Sequence, residues 1–290
     1  MRVAVVGTGR MGTAMAHRLS GAGIELVLYN RTAESARRAA AATGSAVAET
    51  AREAAASADL CLVSLADDAA VRDTYRGDDG LIAGLRGGAV VCDTSTVAPA
   101  TPRELAPQVA ERGAALLDTP VSGSVPLVER GELTVMAGGS AAALDEARPV
   151  LRVLAKQIFH LGDVGAGATM KLVVNAAVHS LNVAISEAVV LAEKAGLDRA
   201  TTYDVLETSA VGAPFVQYKR SAFVHPDETP VAFSLSLVAK DQALIRDLAE
   251  QVGARMDQAD TNRRLVAEAL AAGLGDSDLS AVAGLLRAAQ

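Results

Sequence analysis

Gly7-Thr8-Gly9-Arg10-Met11-Gly12 follows the apolar run Val3-Ala4-Val5-Val6 and leads into Thr13-Ala14-Met15-Ala16, a stretch of helical composition. A glycine-rich turn between a strand and a helix is what a phosphate-binding loop requires. Gly7 permits the tight turn, Gly9 lets the backbone approach a pyrophosphate, and Gly12 lets helix and strand pack closely. The helix N-terminus, with Thr8, Arg10 and Met11 beside the glycines, then faces the anion. The purely structural alternative is a glycine-rich turn with no ligand.

Outward from this motif, short β-rich runs alternate with Ala-rich helical ones. Val3–Val6, Glu25–Tyr29, Leu60–Leu65, Ala89–Cys92, Ala115–Leu117, Leu133–Ala137 and Ile158–Leu161 read as strands. Several are continuously apolar, as strands covered on both faces must be. Met11–Ala22, Glu34–Thr43, Ala69–Tyr75, Pro102–Arg112 and Ala141–Leu154 read as the intervening helices. This is the α/β pattern of a doubly wound parallel sheet, a Rossmann domain over residues 1–161.

At Gly162 the pattern changes. Thr169 to Ala195 reads as one long helix, apolar on almost every face and therefore buried between domains or subunits, and Gly196 stops it. Only helical segments are expected afterwards, so residues 162–290 form an all-α domain joined to the first by the long helix.

The end of the second strand bears on the cofactor. NAD-selective sites carry an acidic residue there for the ribose hydroxyls, but this chain reads Tyr29-Asn30-Arg31-Thr32. No carboxylate repels a 2′-phosphate. Arg31 can pair with one, and Asn30 and Thr32 can add hydrogen bonds, which points to NADPH. An ordinary exposed arginine is the competing explanation.

Composition excludes other classes. The net charge of −7 and the absence of Trp argue against a nucleic-acid partner. Cys61 and Cys92 lie in apolar runs, read as buried hydrophobes, and supply no disulfide framework, which fits a reducing cytoplasm. No Cys/His/carboxylate cluster has metal-ligand spacing. Met1 leads directly into the first strand with no leader pattern. The longest uncharged helical stretch, Leu172–Ser186, is shorter than a bilayer requires and carries Asn175, His179, Ser180 and Asn182, so no membrane partner is expected.

Three further segments stand out: Asp118-Thr119-Pro120-Val121-Ser122-Gly123-Ser124, Gly165-Ala166-Gly167-Ala168-Thr169-Met170-Lys171-Leu172-Val173-Val174-Asn175, and Lys240-Asp241. With the Gly7–Gly12 motif, in this order across the chain, they resemble the signatures of the β-hydroxyacid dehydrogenases. Gly131 to Gly139 looks like another segment of that family. The resemblance implies a hydride transfer between a nicotinamide and a small carbonyl or β-hydroxy acid, with Lys171 as proton donor.

The residues suit that chemistry. Lys171 and Asn175 are one helical turn apart and share a face, so the amide can hold a substrate oxygen toward the ammonium. The structural alternative is a lysine snorkelling out of an apolar helix. Ser122, Gly123 and Ser124 read as a loop whose backbone N–H groups and hydroxyls bind a carboxylate, against a plain turn. Lys240 and Asp241 are expected to line the nicotinamide side from the second domain, with Lys240 contacting cofactor or substrate, or else to form a solvated helix pair. His179, two turns beyond Lys171, reads as a satisfied core histidine with pocket-shaping as the alternative.

Two positions depart from the family pattern. Ser124 stands where a glycine is frequent, and Ala176 follows Asn175 where a second asparagine is frequent. Ser124, with Gly273 to Val282, leans toward the glyoxylate/succinic semialdehyde reductase branch. An imine reductase stays open, with Lys171 counting against it, and so does a non-catalytic cofactor-binding module, against which Lys171, Asn175 and Ser122 count. The many apolar faces of the long helix predict a homodimer through the C-terminal domain.

Overall fold

The computed structural model describes residues 1–288, so Ala289 and Gln290 at the end of the second expected domain lie outside the described residues. The first part runs β1 (Arg2–Val6), α1 (Arg10–Gly21), β2 (Glu25–Tyr29), α2 (Ala33–Thr43), β3 (Ala46–Val47), α3 (Ala51–Ala56) and β4 (Leu60–Val63). It continues with α4 (Asp68–Tyr75), α5 (Leu81–Gly84), β5 (Val90–Asp93), α6 (Ala100–Ala110), β6 (Ala115–Asp118), β7 (Val121–Ser122) and α7 (Val125–Arg130). Then come β8 (Leu133–Ala137), α8 (Ala141–Leu154), β9 (Ala155–His160) and the long α9 (Ala166–Lys194). After it there are α10 (Arg199–Thr208), α11 (Pro214–Val224), α12 (Leu235–Val252), α13 (Asp257–Ala271), a 3₁₀ turn (Leu279–Ala281) and α14 (Val282–Ala288). The chain divides into two compact units, Met1–Lys171 and a second beginning at Leu172.

In the first unit six strands form one parallel sheet in the order β3-β2-β1-β4-β5-β6. Side-chain alternation explains its continuously apolar strands. Val3 and Val5 enter one core layer and Ala4 and Val6 the other, while Leu60 and Leu62 oppose Cys61 and Val63. Each fully buried Val or Leu contributes about 1.5–3 kcal/mol. Cys61 and Cys92 are buried in opposite layers, so they cannot bond to one another. Burial pushes the Cys61 thiol up to about 12.

The seven expected strands do not share one sheet. Leu133–Ala137 leaves the parallel sheet and pairs antiparallel with β7 and parallel with β9, giving a separate three-stranded sheet. Apolar composition marks a strand but not its neighbour. It also misses elements too short to show periodicity, such as β3, β7 and α5. Thr50 caps α3 by accepting from the Glu53 N–H, and the Glu53 carboxylate accepts from the Glu49 N–H.

Among the described residues the regular elements of the second unit are all helices. Gly196, at φ +87°, ends α9, with the Leu197 N–H closing back on the Ala192 carbonyl. α9 is not buried on every side as its composition implied. Val173 is 55% and Leu191 72% exposed, while Asn175, His179, Asn182 and Ser186 make a buried polar stripe. By length and composition alone α9 also meets the requirement for crossing a bilayer. The stripe is instead bonded within the unit: Asn175 to Asp241, Asn182 to the Leu279 carbonyl. A buried ion pair ties α11 to the chain's end, where Lys219 Nζ lies 2.7 Å from both oxygens of Asp278. The same carboxylate accepts from the N–H groups of Ala232, Phe233 and Ser280.

Candidate functional site

The crevice rule for open α/β sheets places ligands beyond the carboxyl ends of the strands where the strand order reverses, here between β1 and β4. Gly7 sits at that point with φ +97°, and a Cβ there would meet the Ser64 carbonyl oxygen at 2.2 Å. A Cβ on Gly12 would lie 1.9 Å from the Gly7 carbonyl oxygen, so α1 packs against the turn only as glycine. At Gly9 a Cβ meets nothing within 4 Å. Two glycines therefore close the turn and the third leaves open space at the start of α1, where no side chain caps the N–H groups. The Thr8 hydroxyl is buried there without a hydrogen-bond partner in the chain. These features fit a dinucleotide pyrophosphate held by Gly7–Gly12.

Asn30 lies beside this turn, just after the end of β2. Its Oδ1 accepts from the Thr8 N–H at 3.0 Å and its Nδ2 donates to the Thr32 carbonyl at 3.1 Å. The amide thus braces the glycine turn against the end of β2, with Thr32 contributing a carbonyl. Arg31 is exposed beside it.

Further along the same edge lies a cluster that composition did not reveal. Asp93 is buried at the end of β5, accepting from the Tyr75 hydroxyl at 2.8 Å and the Ser95 N–H at 2.9 Å. Burial raises its carboxyl above the usual carboxylate range, opposed by those donors. Thr94 donates to the Val63 carbonyl, and the Ser95 hydroxyl accepts from the Leu65 N–H. The turn Asp93-Thr94-Ser95 is thereby fixed beside the glycine loop's neighbour, β4. Its only mark in the sequence is a polar run after an apolar strand, which an ordinary loop shares.

Ser122, expected in a loop, belongs to β7 and stands opposite Thr134 of β8. Gly123 follows at φ +133°, where a Cβ would meet Leu133 Cδ2 at 2.7 Å. Ser124 sits at the start of α7 without capping it, and its Oγ is buried with no hydrogen-bond partner in the chain. The segment is a strand edge turned by one glycine.

Asp118 explains the Gly-Ala-Gly stretch before Lys171. Its Oδ1 accepts from the Gly165 N–H at 2.8 Å and its Oδ2 from the Ala168 N–H at 2.7 Å. A carboxylate thus caps α9 from the end of β6, favoured by the positive end of the helix dipole. Burial raises its carboxyl, against the pull of those two N–H groups. A Cβ on Gly167 would fall 2.3 Å from the Met136 carbonyl oxygen and 2.5 Å from that of Asp118. The glycines let α9 begin directly against β6 and β8, which fixes where Lys171 sits in its second turn.

One turn beyond Lys171, Asn175 is buried and its Nδ2 donates to Asp241 Oδ2 at 2.6 Å. An amide facing a carboxylate must present its nitrogen, so Oδ1 and the second N–H are oriented away from Asp241. Asp241, 1% exposed, also pairs through Oδ1 with Lys240 Nζ at 2.8 Å. Burial pushes the Asp241 carboxyl up, and His179 and Lys240 together more than offset it, leaving it below the usual range. Lys240 and Asp241 are therefore not a solvated pair: the aspartate is enclosed and holds Asn175. His179 is buried, but neither ring nitrogen has a hydrogen-bond partner, so it is not the satisfied core histidine expected. Among the described residues no group of His, Cys, Asp or Glu has the arrangement of a metal site.

Comparison with known proteins agrees with this geometry. Residues 2–162 match the family described as the NAD binding domain of 6-phosphogluconate dehydrogenase, and residues 165–286 that of NADP-dependent 3-hydroxyisobutyrate dehydrogenase. The chain is 34% identical over 288 residues to glyoxylate/succinic semialdehyde reductase 2 of Arabidopsis thaliana, covering 99% of this chain and 80% of that protein. It is 32% identical to the NAD-dependent L-serine dehydrogenase of Pseudomonas aeruginosa, over 86% of this chain and 85% of that one. The 3-hydroxyisobutyrate dehydrogenase of Mycobacterium tuberculosis, solved with L-serine, superposes with a TM-score of 0.84 at 33% identity, covering 99% and 100% of the two chains. Glycine loop, carboxylate-capped helix and both family matches converge: the chain belongs to the 3-hydroxyisobutyrate dehydrogenase-like β-hydroxyacid dehydrogenases, enzymes that act on a CH–OH group with NAD(P).

Proposed function

We propose that this chain is an NADPH-preferring reductase of small carbonyl acids, an aldehyde or semialdehyde acid such as glyoxylate or succinic semialdehyde, with Lys171 as proton donor. The observation that carries the reading is the Asp118-capped start of α9, which sets Lys171 and Asn175 one turn apart on a helix anchored to the sheet. The nicotinamide, when bound, supplies the hydride. Lys171 Nζ–H gives its proton to the carbonyl oxygen as charge develops there. Asn175, its amide direction set by Asp241, orients the same oxygen. Ser122 and Ser124, with the backbone N–H groups around Gly123, receive the substrate carboxylate. The Arabidopsis relative's name supports glyoxylate and succinic semialdehyde, whereas the Pseudomonas relative is named for L-serine and NAD. A panel of small aldehyde acids, keto acids and cyclic imines, followed by NADPH oxidation, decides the substrate class.

NADPH preference rests on Arg31 and on the missing carboxylate at the end of β2. Asn30 supports it indirectly, by holding the loop that carries Arg31. Arg31→Asp is expected to raise the NADPH KM by about ten- to a hundredfold, the value of a charge-assisted pair, and to change the NADH KM little. Equal efficiency of the two cofactors in the unmodified protein defeats this part of the proposal.

We also propose a homodimer formed through the helical unit. Val173, Leu191, Leu197 and Val205 are all more than half exposed in the single chain, large apolar side chains left uncovered along α9, after it and on α10. Light scattering at micromolar concentration is expected to give twice the chain mass, and a monomer there counts against it.

A further inference from the structure

His179 is 4% exposed, and both of its ring nitrogens lack a hydrogen-bond partner in the chain. A buried polar group without a partner costs free energy, so its placement calls for a reason. Its surroundings supply one. The ring lies stacked on Phe233, with centroids 6.2 Å apart and planes 12° from parallel. Phe233 is itself pinned, because its N–H donates to Asp278. The stack leaves Nε2 facing Asp241 Oδ2 at 3.9 Å, ion-pair range but beyond a hydrogen bond. That oxygen is the one accepting from Asn175 Nδ2, while Lys240 occupies the other.

From this geometry we propose that His179 is a positioning residue: its Nε2–H edge steadies the Asp241 oxygen that sets the direction of the Asn175 amide. The inference rests on the reading of Asn175 as the residue that orients the substrate oxygen. Two features separate it from core filling. An apolar ring would satisfy the stack on Phe233 without burying two polar nitrogens. The edge presented to Asp241 is also the one that can donate, since Asp241 as a carboxylate only accepts. With Lys240 on Oδ1 and His179 beside Oδ2, the carboxylate is held from both ends and cannot turn its Asn175-bound oxygen away.

The test uses two variants of the full chain. His179→Phe keeps an aromatic ring against Phe233 and removes the donor; His179→Gln restores a donor at the same reach. His179→Phe is expected to raise the KM for the carbonyl substrate about tenfold, because the buried Asp241 carboxylate loses the polar edge that faces it at 3.9 Å. Its kcat should change less than about threefold and its NADPH affinity not at all, and His179→Gln should recover most of the loss. Equal loss in both variants, or none in His179→Phe, overturns the proposal. A second measurement needs no substrate. Long-range ¹⁵N spectra of the four histidines should show His179 with its proton on Nε2, and Asp241→Asn should move that signal. A proton on Nδ1, or a signal indifferent to Asp241→Asn, overturns the pairing. Because the spectrum decides the pairing even if no carbonyl acid is turned over, failure of the proposed activity and failure of this inference are told apart.

Discussion

Lys171→Ala is expected to lower turnover by about two to four powers of ten while leaving NADPH binding nearly intact, the range that general acid catalysis supplies. The separation follows from where the groups sit. On the proposed reading the cofactor phosphates lie on Gly7–Gly12, a turn closed by the approach of Gly7 to Ser64 and of Gly12 to Gly7. Lys171 lies on another element, α9, whose start is fixed by Asp118. Removing its side chain leaves both anchors untouched. Lys171→Arg should not rescue turnover, because guanidinium keeps its charge but does not release a proton near neutral pH. Asn175→Ala should be milder, since the acid remains while the oxygen is less well oriented. Steady-state kinetics beside a direct NADPH titration check all three. Unchanged turnover in Lys171→Ala removes the proton-donor role and favours an imine reductase, whose acid lies elsewhere.

The second large effect is on stability. Lys219→Met is expected to destabilise the helical unit by about 3–5 kcal/mol at pH 7, because it leaves Asp278 buried without its cation. In the native protein burial pushes the Asp278 carboxyl up, and Lys219 with the Ser280 and Phe233 N–H groups outweighs it, so the net position is below the usual carboxylate range. A carboxylate with a depressed value contributes stability that is complete above the unfolded value, about 3.9, and is lost as pH falls through the folded one. In Lys219→Met the carboxyl is raised instead, so the deficit against the native protein should shrink as pH falls toward about 4. Lys219→Met with Asp278→Leu should recover only part of the loss, since Ala232, Phe233 and Ser280 lose their acceptor. Urea titrations at pH 7 and pH 4.5 measure both effects. A deficit that grows toward acid would contradict the assignment.

The fold class, a parallel-sheet part followed by a helical one, was legible because its signals are local and periodic. Val3–Val6 before Gly7–Gly12 announces a strand, a turn and a helix, and the switch from alternating to all-helical composition marks the second part. What was not legible depends on contacts far apart in sequence. Nothing in Ala155–His160 tells that it pairs with Leu133–Ala137 outside the main sheet. Asp118 was recognisable as part of a motif, yet its task as the cap of α9 needs Gly165 and Ala168 brought to it across 47 and 50 residues. The same holds for Asp241, 66 residues from the amide that it orients. Asn30 was read as a ligand contact, and within the chain its amide also meets the Thr8 N–H and the Thr32 carbonyl, a brace that no pattern along the chain encodes. Apolar periodicity likewise overstated the burial of α9, because it cannot tell a face packed within one chain from the exposed Val173 and Leu191.

The most direct measurement is the initial rate of NADPH oxidation by the purified protein with glyoxylate, succinic semialdehyde, small keto acids and cyclic imines, repeated with Lys171→Ala. A reductase of carbonyl acids that donates its proton from Lys171 turns over one or more of the aldehyde acids, leaves the imines unreacted, and loses at least about a hundredfold in the variant. Turnover confined to the imines, or aldehyde-acid turnover that survives Lys171→Ala unchanged, would contradict it.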